Sequence, residues 1–498
     1  LRRQQRTLVD FERLTVGELQ VSAPFDHGAA RVLDQTRFLV EAFVRFEARV
    51  EAANRLDEHR LRARLLVDVC RPPFRHVVVT VADQIVSTDG LWVADFDLLT
   101  RLPYLEQVDI VTTEGLLACG FLERLHEFLP GIEEERVDAS LSRRPSLEVP
   151  VDQKTPYFVN RDREEELWAV ARRMKTGRGA GASRDALADG AVGVVFQRPL
   201  PYVYLAEQVF GGSKISFETL HGLPLAAEPY AAFVDFVLDA VISGFARSDL
   251  VALLRSPHLS FDDSDDSEDE NGDGALPVRA VSVFNRVLEQ VGYIGGRDSL
   301  MQIADTYTWR NRSDAGDFLR SLNAALAIIG ALAAIETVST VSEQWQILLA
   351  FLKRYKASGD GQAVESHRQA RVREAVCRAI VQLERAAAVF PSPRVPSINL
   401  KASFRRRIGT EVFIRDSRQG GVRLVDTAAA RYGRFRELHV VGLVDGEWPC
   451  LPPRNIFYPK TLLRQLGWPV DVDWMRIARA EFADLLRLPT GLVRLSTF

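Results

Sequence analysis

The side chains best able to do chemistry in this 498-residue chain are arginines, and they gather toward its end. From Lys401 to Phe498 there are two lysines and fifteen arginines against ten acids. A planar guanidinium can bind two oxygens at once, so such clustering suits a phosphate-bearing partner. A solvated arginine-rich face is the other reading. The eight histidines are scattered, with no H-E-x-x-H and no H-x3-H pair, so metalloprotease chemistry is not expected. No G-x-S-x-G elbow occurs, which counts against an α/β-hydrolase. No G-x-x-x-x-G-K-[ST] occurs either; Gly177-Arg178-Gly179-Ala180-Gly181 has the glycines of a phosphate cradle but no lysine, and reads as a loop extending to Gly190. The run Asp262 to Asp273 holds eight acids and no base. It lacks the ligand spacing of a calcium loop, and like charges at that density repel, so residues 262–274 read as a solvated, disordered loop.

Composition bounds the rest. The chain is 47% hydrophobic, with 63 Lys+Arg against 67 Asp+Glu and a formal net charge of −4. At roughly 100–200 residues per domain this suggests about three domains, each able to bury a core. The apolar fraction excludes a disordered chain. The greasiest run, Ala324–Ile335, is twelve residues long and contains Gly330, so neither a membrane span nor a membrane partner is expected. Cys70, Cys119, Cys377 and Cys450 lie far apart without a C-x-x-C pair, which argues against a disulfide scaffold or a structural zinc site and fits a reducing, cytoplasmic setting. The first residue is Leu1 and the last residues follow an apolar run, Leu492 to Leu495, so the chain reads as a piece of a longer protein.

The elements that must position any site follow from periodicity. Residues 1–71 read as mostly helical, with Phe38, Phe43 and Phe46 on a stripe expected to be core. Pro72-Pro73 breaks that pattern. Val77–Val81 is a β-branched run expected to be buried on both faces, and Val108–Thr112 is a second such strand after a helical segment, Phe96–Arg101. Strand, helix, strand argues for a parallel sheet. Arg143–Gln153, with two prolines, reads as a linker. A helix then begins near Asn160 or Asp162, with Glu164, Glu165 and Glu166 at the positive end of its dipole and Leu167, Val170, Ala171 and Met174 as its apolar stripe. Val192–Phe196 reads as a buried strand. Ala275–Phe390 is a helical block, and sheet pattern resumes at Val422–Val425 and Leu438–Leu443. An α/β domain is thus interrupted by helices and then resumed.

Five stretches resemble motifs of the UvrD/RecB-like superfamily 1 helicases. Leu424–Pro449 resembles motif V and the strand after it, roughly T-x-H-x-A-K-G-x-E-F-x-x-V-x-x-x-G-x-x-x-G-x-F-P. Arg431 falls where the family has lysine; Phe435, Gly442, Gly446 and Pro449 match, and Trp448 is the aromatic before the proline. Tyr157 to Arg173 resembles the entry to the second motor domain, Val192–Tyr202 its motif IV strand, and Leu253-Leu254-Arg255-Ser256-Pro257 the L-L-R-S-P that opens the helical insertion. Glu481–Leu488 resembles motif VI. Departures are equally specific: Ala428 stands for the family's His, Tyr432 for its Gly, Arg434 for its Glu, and Leu488 falls at the arginine finger, with Arg487 one residue early. A leucine cannot stabilise charge on a transferring phosphate. In the first domain Asp83 marks the motif II position, as a metal-holding acid or simply a helix cap, and Gln84 replaces the catalytic Glu.

Such degenerate motifs resemble the AddB-like subunits of bacterial exodeoxyribonuclease V-type helicase–nucleases. The resemblance implies an α/β fold of RecA-like motor domains, with parallel sheets and a large helical insertion in the second. It divides the chain into a helical segment (1–75) and α/β end (76–145) of the first motor domain, the start of the second (155–260), the insertion (275–395) and the remainder of the second (400–498). It implies DNA as a partner, as the single strand of a processed duplex end, together with a partner helicase–nuclease subunit. Arg198, Arg431, Arg434 and Thr427 become the candidates for nucleic-acid or phosphate contact; salt bridging on a basic surface and an ordinary strand end are their alternatives. ATP and Mg belong to the full-length protein, and an iron–sulfur cluster with a PD-(D/E)XK nuclease domain lies outside this chain. The implied role is a strand-threading scaffold with a degenerate ATPase in double-strand-break repair. An active helicase with its P-loop upstream and a non-enzymatic helical interaction protein are the alternatives.

Overall fold

The computed structural model of the chain describes residues 2–67, 74–83, 90–136, 145–151, 155–176, 191–261, 276–307, 312–355, 364–414, 420–449, 456–468 and 474–498. Gln84, the Gly177–Gly190 loop and the acidic run from Asp262 lie outside them. The chain forms two compact units, Leu1–His221 with Ser417–Phe498, and Gly222–Asp416. The strands are β1 (His76–Val79), β2 (Gln107–Ile110), β3 (Ser146–Glu148), β4 (Phe158–Val159), β5 (Val192–Phe196), β6 (Phe217–Thr219), β7 (Leu223–Pro224), β8 (Val412–Phe413), β9 (Val422–Asp426), β10 (Glu437–Val440) and β11 (Leu492–Thr497).

The first unit opens with two helices packed on each other, Leu8–Ser22 and His27–Ala52. Thr7 and Asp10 cap the first reciprocally, at 3.0 and 3.1 Å, so two orphan amide donors are satisfied. The expected aromatic stripe is not core. Phe38 and Phe46 are 68% and 50% exposed, and the buried positions of their helix are Leu33, Thr36 and Val50. β1 and β2 pair in parallel, joined by the helix Val93–Arg101, as strand–helix–strand spacing requires. Only one face of this pair is covered: Val79 packs with Leu91, Phe96, Phe121 and Leu125. The expectation that this run is buried on both faces fails at Val78 and Val81, which are exposed because no second layer covers them among the described residues.

The rest of the first unit is a mixed α/β domain on a seven-stranded, all-parallel sheet. Its order is β3-β11-β10-β5-β9-β6, with β4 also pairing β11 beyond β3. β5 lies in the middle and every one of its residues is buried, which is why it reads as an unbroken apolar run. Gly193 on β5 leaves room for a neighbour: a Cβ there would lie 2.7 Å from the Phe435 ring. Asp162 caps the helix Arg163–Thr176, accepting from the Glu165 amide at 2.8 Å, and Leu167, Val170, Ala171 and Met174 are buried as expected. The segment expected to be a linker contributes β3, whose residues Ser146–Glu148 pair with Leu492–Arg494. Pairing with a distant strand overrides the local proline signal there.

The second unit is helical, from Pro229–Ile242 to Ser397–Gly409, with one small antiparallel pair, β7–β8. It begins at Gly222 rather than near residue 275, so the L-L-R-S-P-like stretch lies inside it, at the end of the helix Arg247–Leu254. Fully buried Phe284, Phe318, Trp345 and Phe351 anchor its core. Lys401 is buried too, paired with Asp239 and lying 3.4 Å from Asp235. Asp314–Glu336 is long and apolar enough, by length and composition, to cross a membrane. This corrects the twelve-residue measure. The helix extends well past the alanine-rich run, and its Phe318, Leu322, Ala325, Ile328 and Leu332 are buried within this unit.

Candidate functional site

The site lies where the sheet changes direction. From β5 the chain proceeds to β6 on one side, and from β10 to β11 on the other, while β5 and β10 are neighbours. In an open parallel sheet the crevice outside the carboxyl ends of such a pair is the natural ligand site. A cavity of about 540 Å³ opens here. Gln197 follows β5, Thr427 follows β9, and Leu443, Val444 and Asp445 follow β10; all five line it. The opposite wall is the helix Trp474–Arg487, through Arg479, Glu481 and Phe482 among others. Trp448 meets Phe482 edge-on, with ring centroids 5.7 Å apart, and supplies the apolar end of the cavity with Pro449.

Local chemistry sets each candidate in place. Asp426 accepts from the Ala429 amide at 2.7 Å, turning the chain at the end of β9 into the short helix Thr427–Ala430. Thr427 therefore points at β5, its hydroxyl 3.4 Å from the Gln197 amide oxygen. Arg431, one residue beyond that helix, is not free: its guanidinium is hydrogen-bonded to Glu481, fifty residues away, and both side chains are about 30% exposed. Arg198 is exposed and lies 3.9 Å from Glu447, which also accepts from Arg163 at 2.5 Å. Arg434 is exposed and forms no ion pair among the described residues. Neither Arg198 nor Arg434 lines the cavity, so Thr427 alone of the four candidates does.

The remaining expected positions fall elsewhere. Asp83 is 1% exposed in the smaller sheet region, where Arg124 approaches to 3.1 Å. A buried carboxylate needs a counter-charge, and Arg124 supplies it. Burial in turn pulls the Arg124 guanidinium below its usual range. Among the described residues no three His, Cys, Asp or Glu side chains form a group able to hold a metal. Leu488, where the helicase resemblance would put an arginine finger, packs against the core formed by Phe435, Leu438 and Val493.

One functional-looking group escapes the motif reading. Glu166 is fully buried and accepts from Tyr202 Oη at 2.6 Å, Ser496 Oγ at 2.5 Å and the Gly442 amide at 3.0 Å. It ties the helix Arg163–Thr176 to the ends of β10 and β11 and to the helix Tyr202–Gly212. Burial raises its carboxyl above the usual range, against the pull of the three donors, and burial with the Glu166 charge raises the Tyr202 phenol. Gly442 is required there: its φ is +69°, and a Cβ would lie 2.6 Å from the Tyr202 hydroxyl. The signal was present in the spacing, since Glu166, Val170 and Met174 follow one another at i, i+4 and i+8 on the apolar face.

No protein-family model matches the chain, and no curated protein matches it significantly.

Proposed function

We propose that this chain is the helicase-like, DNA-binding part of a bacterial ATP-dependent helicase–exonuclease that acts in double-strand-break repair by recombination. Its sheet unit is then a RecA-like motor domain and its helical unit the insertion of that domain. One observation carries the reading. Residues from the three stretches that resemble motifs IV, V and VI, far apart in sequence, line a single cavity at the switch point of one parallel sheet. A chance resemblance would not be expected to converge on the ligand-binding end of the fold.

The same geometry favours a scaffold over a motor. A transferring phosphate needs a cation at the finger position, and here a partly buried leucine stands there while Arg431 is engaged by Glu481. The described residues at this cavity therefore do not fit ATP and Mg as a hydrolytic site, and no step of hydrolysis is assigned to them. Cys119 and Cys377 belong to different units; the iron–sulfur cluster and the nuclease are proposed for the parent protein outside this chain. Exposed Arg198 and Arg434 are the first contacts proposed for a single DNA strand. A partner helicase–nuclease subunit and a cytoplasmic setting complete the proposal.

The test is binding of a fluorescein-labelled oligothymidylate by the full chain as salt rises from about 50 to 200 mM. A steep loss of affinity with salt, reduced by Arg198→Ala with Arg434→Ala, is expected. Absence of binding at the lowest salt would overturn the reading. Capture of a protein partner by chain that binds no DNA would then favour a non-enzymatic interaction protein built on the helical unit.

A further inference from the structure

We infer that Glu481 is a built-in competitor for phosphate: its carboxylate holds Arg431 out of use, and a nucleic-acid phosphate engages that arginine only by displacing it. This deepens the DNA-binding reading and rests on it. The ion pair is the first observation. Arg431 Nη2 donates to Glu481 Oε1, and each side chain keeps about a third of its surface exposed, so water and anions reach both partners. The second is placement: Glu481 lines the cavity at the strand ends, so a ligand entering that space meets the carboxylate. A carboxylate and a phosphate present similar oxygen pairs to a guanidinium fork, which makes one a plausible stand-in for the other.

The neighbouring cations separate into held and unheld sets. Glu447 engages Arg163 at 2.5 Å and lies 3.9 Å from Arg198, repeating the arrangement beside β5. Arg479, on the same helix as Glu481, lines the cavity without an ion pair among the described residues, and Arg434 is likewise unpaired. Basal binding therefore comes from exposed Arg198 and Arg434, with Arg479 on the cavity wall, and Arg431 is held in reserve. Asp445, exposed on the cavity wall, adds to the repulsion a phosphate must overcome. Exchange of partners costs little here because water still reaches the pair and screens it.

The experiment is a double-mutant cycle on the full chain, with oligothymidylate as the probe and thermal melting to check folding. Glu481→Gln removes a charge and frees Arg431, so binding at low salt should tighten roughly three- to tenfold, the scale of one charge-assisted contact near a surface. The plot of log affinity against log salt should steepen by about 0.7, one further phosphate on a single strand. Arg431→Ala should change binding less than about twofold in the unaltered chain, yet abolish the whole gain in the Glu481→Gln background. Unchanged or weaker binding by Glu481→Gln would overturn the inference while leaving DNA binding intact. So would a loss of much more than about twofold on Arg431→Ala in the unaltered chain, an arm that stands even if Glu481→Gln folds poorly. Failure of every form to bind at low salt would end the DNA reading itself, and this inference with it.

Discussion

Glu166 and Glu481 both sit at the carboxyl end of one parallel sheet, but the first has no exposed surface and the second keeps about a third of its side chain in water. Glu166 is held by neutral donors, two hydroxyls and an amide, from three different segments. Glu481 is held by one charge. The buried acid closes the region between the helix Arg163–Thr176 and the ends of β10 and β11. The exposed acid borders a cavity. The difference teaches which carboxylates at a strand-end site hold the fold and which can exchange partners: desolvation makes the first costly to disturb, and solvent makes the second cheap.

The largest effect expected is on the buried side. Glu166→Ala leaves the Tyr202 and Ser496 hydroxyls and the Gly442 amide without their acceptor, and should cost about 3–5 kcal/mol of unfolding free energy. Denaturant melts read this directly, and a loss below about 1 kcal/mol would show that the network adds nothing beyond packing. Gly442→Ala comes next, at about 2–4 kcal/mol, since it combines a left-handed backbone with a close approach to Tyr202. An intact melt for that variant would mean the loop after β10 can yield, and would break the contrast between a rigid and an open half of the site.

Acidity gives a third and smaller measure. Burial raises the folded carboxyl of Glu166 above the usual carboxylate range, so the native chain holds its proton longer than the unfolded chain does. The sign follows: this group's stabilising contribution is fully present below the unfolded value and is lost as pH rises through the folded one, by up to about 1.4 kcal/mol per pH unit within that window. Glu166→Gln cannot titrate. The stability of the unaltered chain minus that of Glu166→Gln should therefore fall as pH rises from about 4.5. A flat difference would mean that the three donors balance burial, and a rising one that they outweigh it.

How much of this was legible beforehand depends on the range of the interactions. β5 and the helix Arg163–Thr176 are written in local pattern, an unbroken apolar run and a stripe at helical spacing, and both form as expected. β3 and β6 are three residues long, too short for a period, and β3 exists because β11 offers it a partner more than three hundred residues away. The exposed faces of Val78 and Phe38 show the converse, since apolar spacing reports a capacity for burial and the covering layer decides whether it is used. At the site, Thr427 follows β9 and lines the cavity. The partner of Arg431 is not legible, because nothing local to Arg431 names a carboxylate fifty residues on. Glu166 was legible in its phase on the apolar stripe, but its charge invited a reading as a dipole partner at the solvated helix start.

The smallest expected effect is the sharpest test of the contrast. Glu481→Gln removes a partly solvent-screened ion pair, and exposed pairs of this kind contribute under about 1 kcal/mol, so unfolding free energy should move by less than that. Its DNA affinity should nevertheless rise severalfold, whereas Glu166→Ala should lose stability with any change in affinity following the folded fraction. Denaturant melts and binding isotherms on the same two preparations separate these outcomes. If Glu481→Gln destabilises as much as Glu166→Ala, then Glu481 belongs to the fold, its pairing with Arg431 is structural, and the cavity wall it forms is as fixed as the network beneath β10. If it leaves stability alone and alters binding, the two carboxylates divide the strand ends into a part that holds and a part that exchanges.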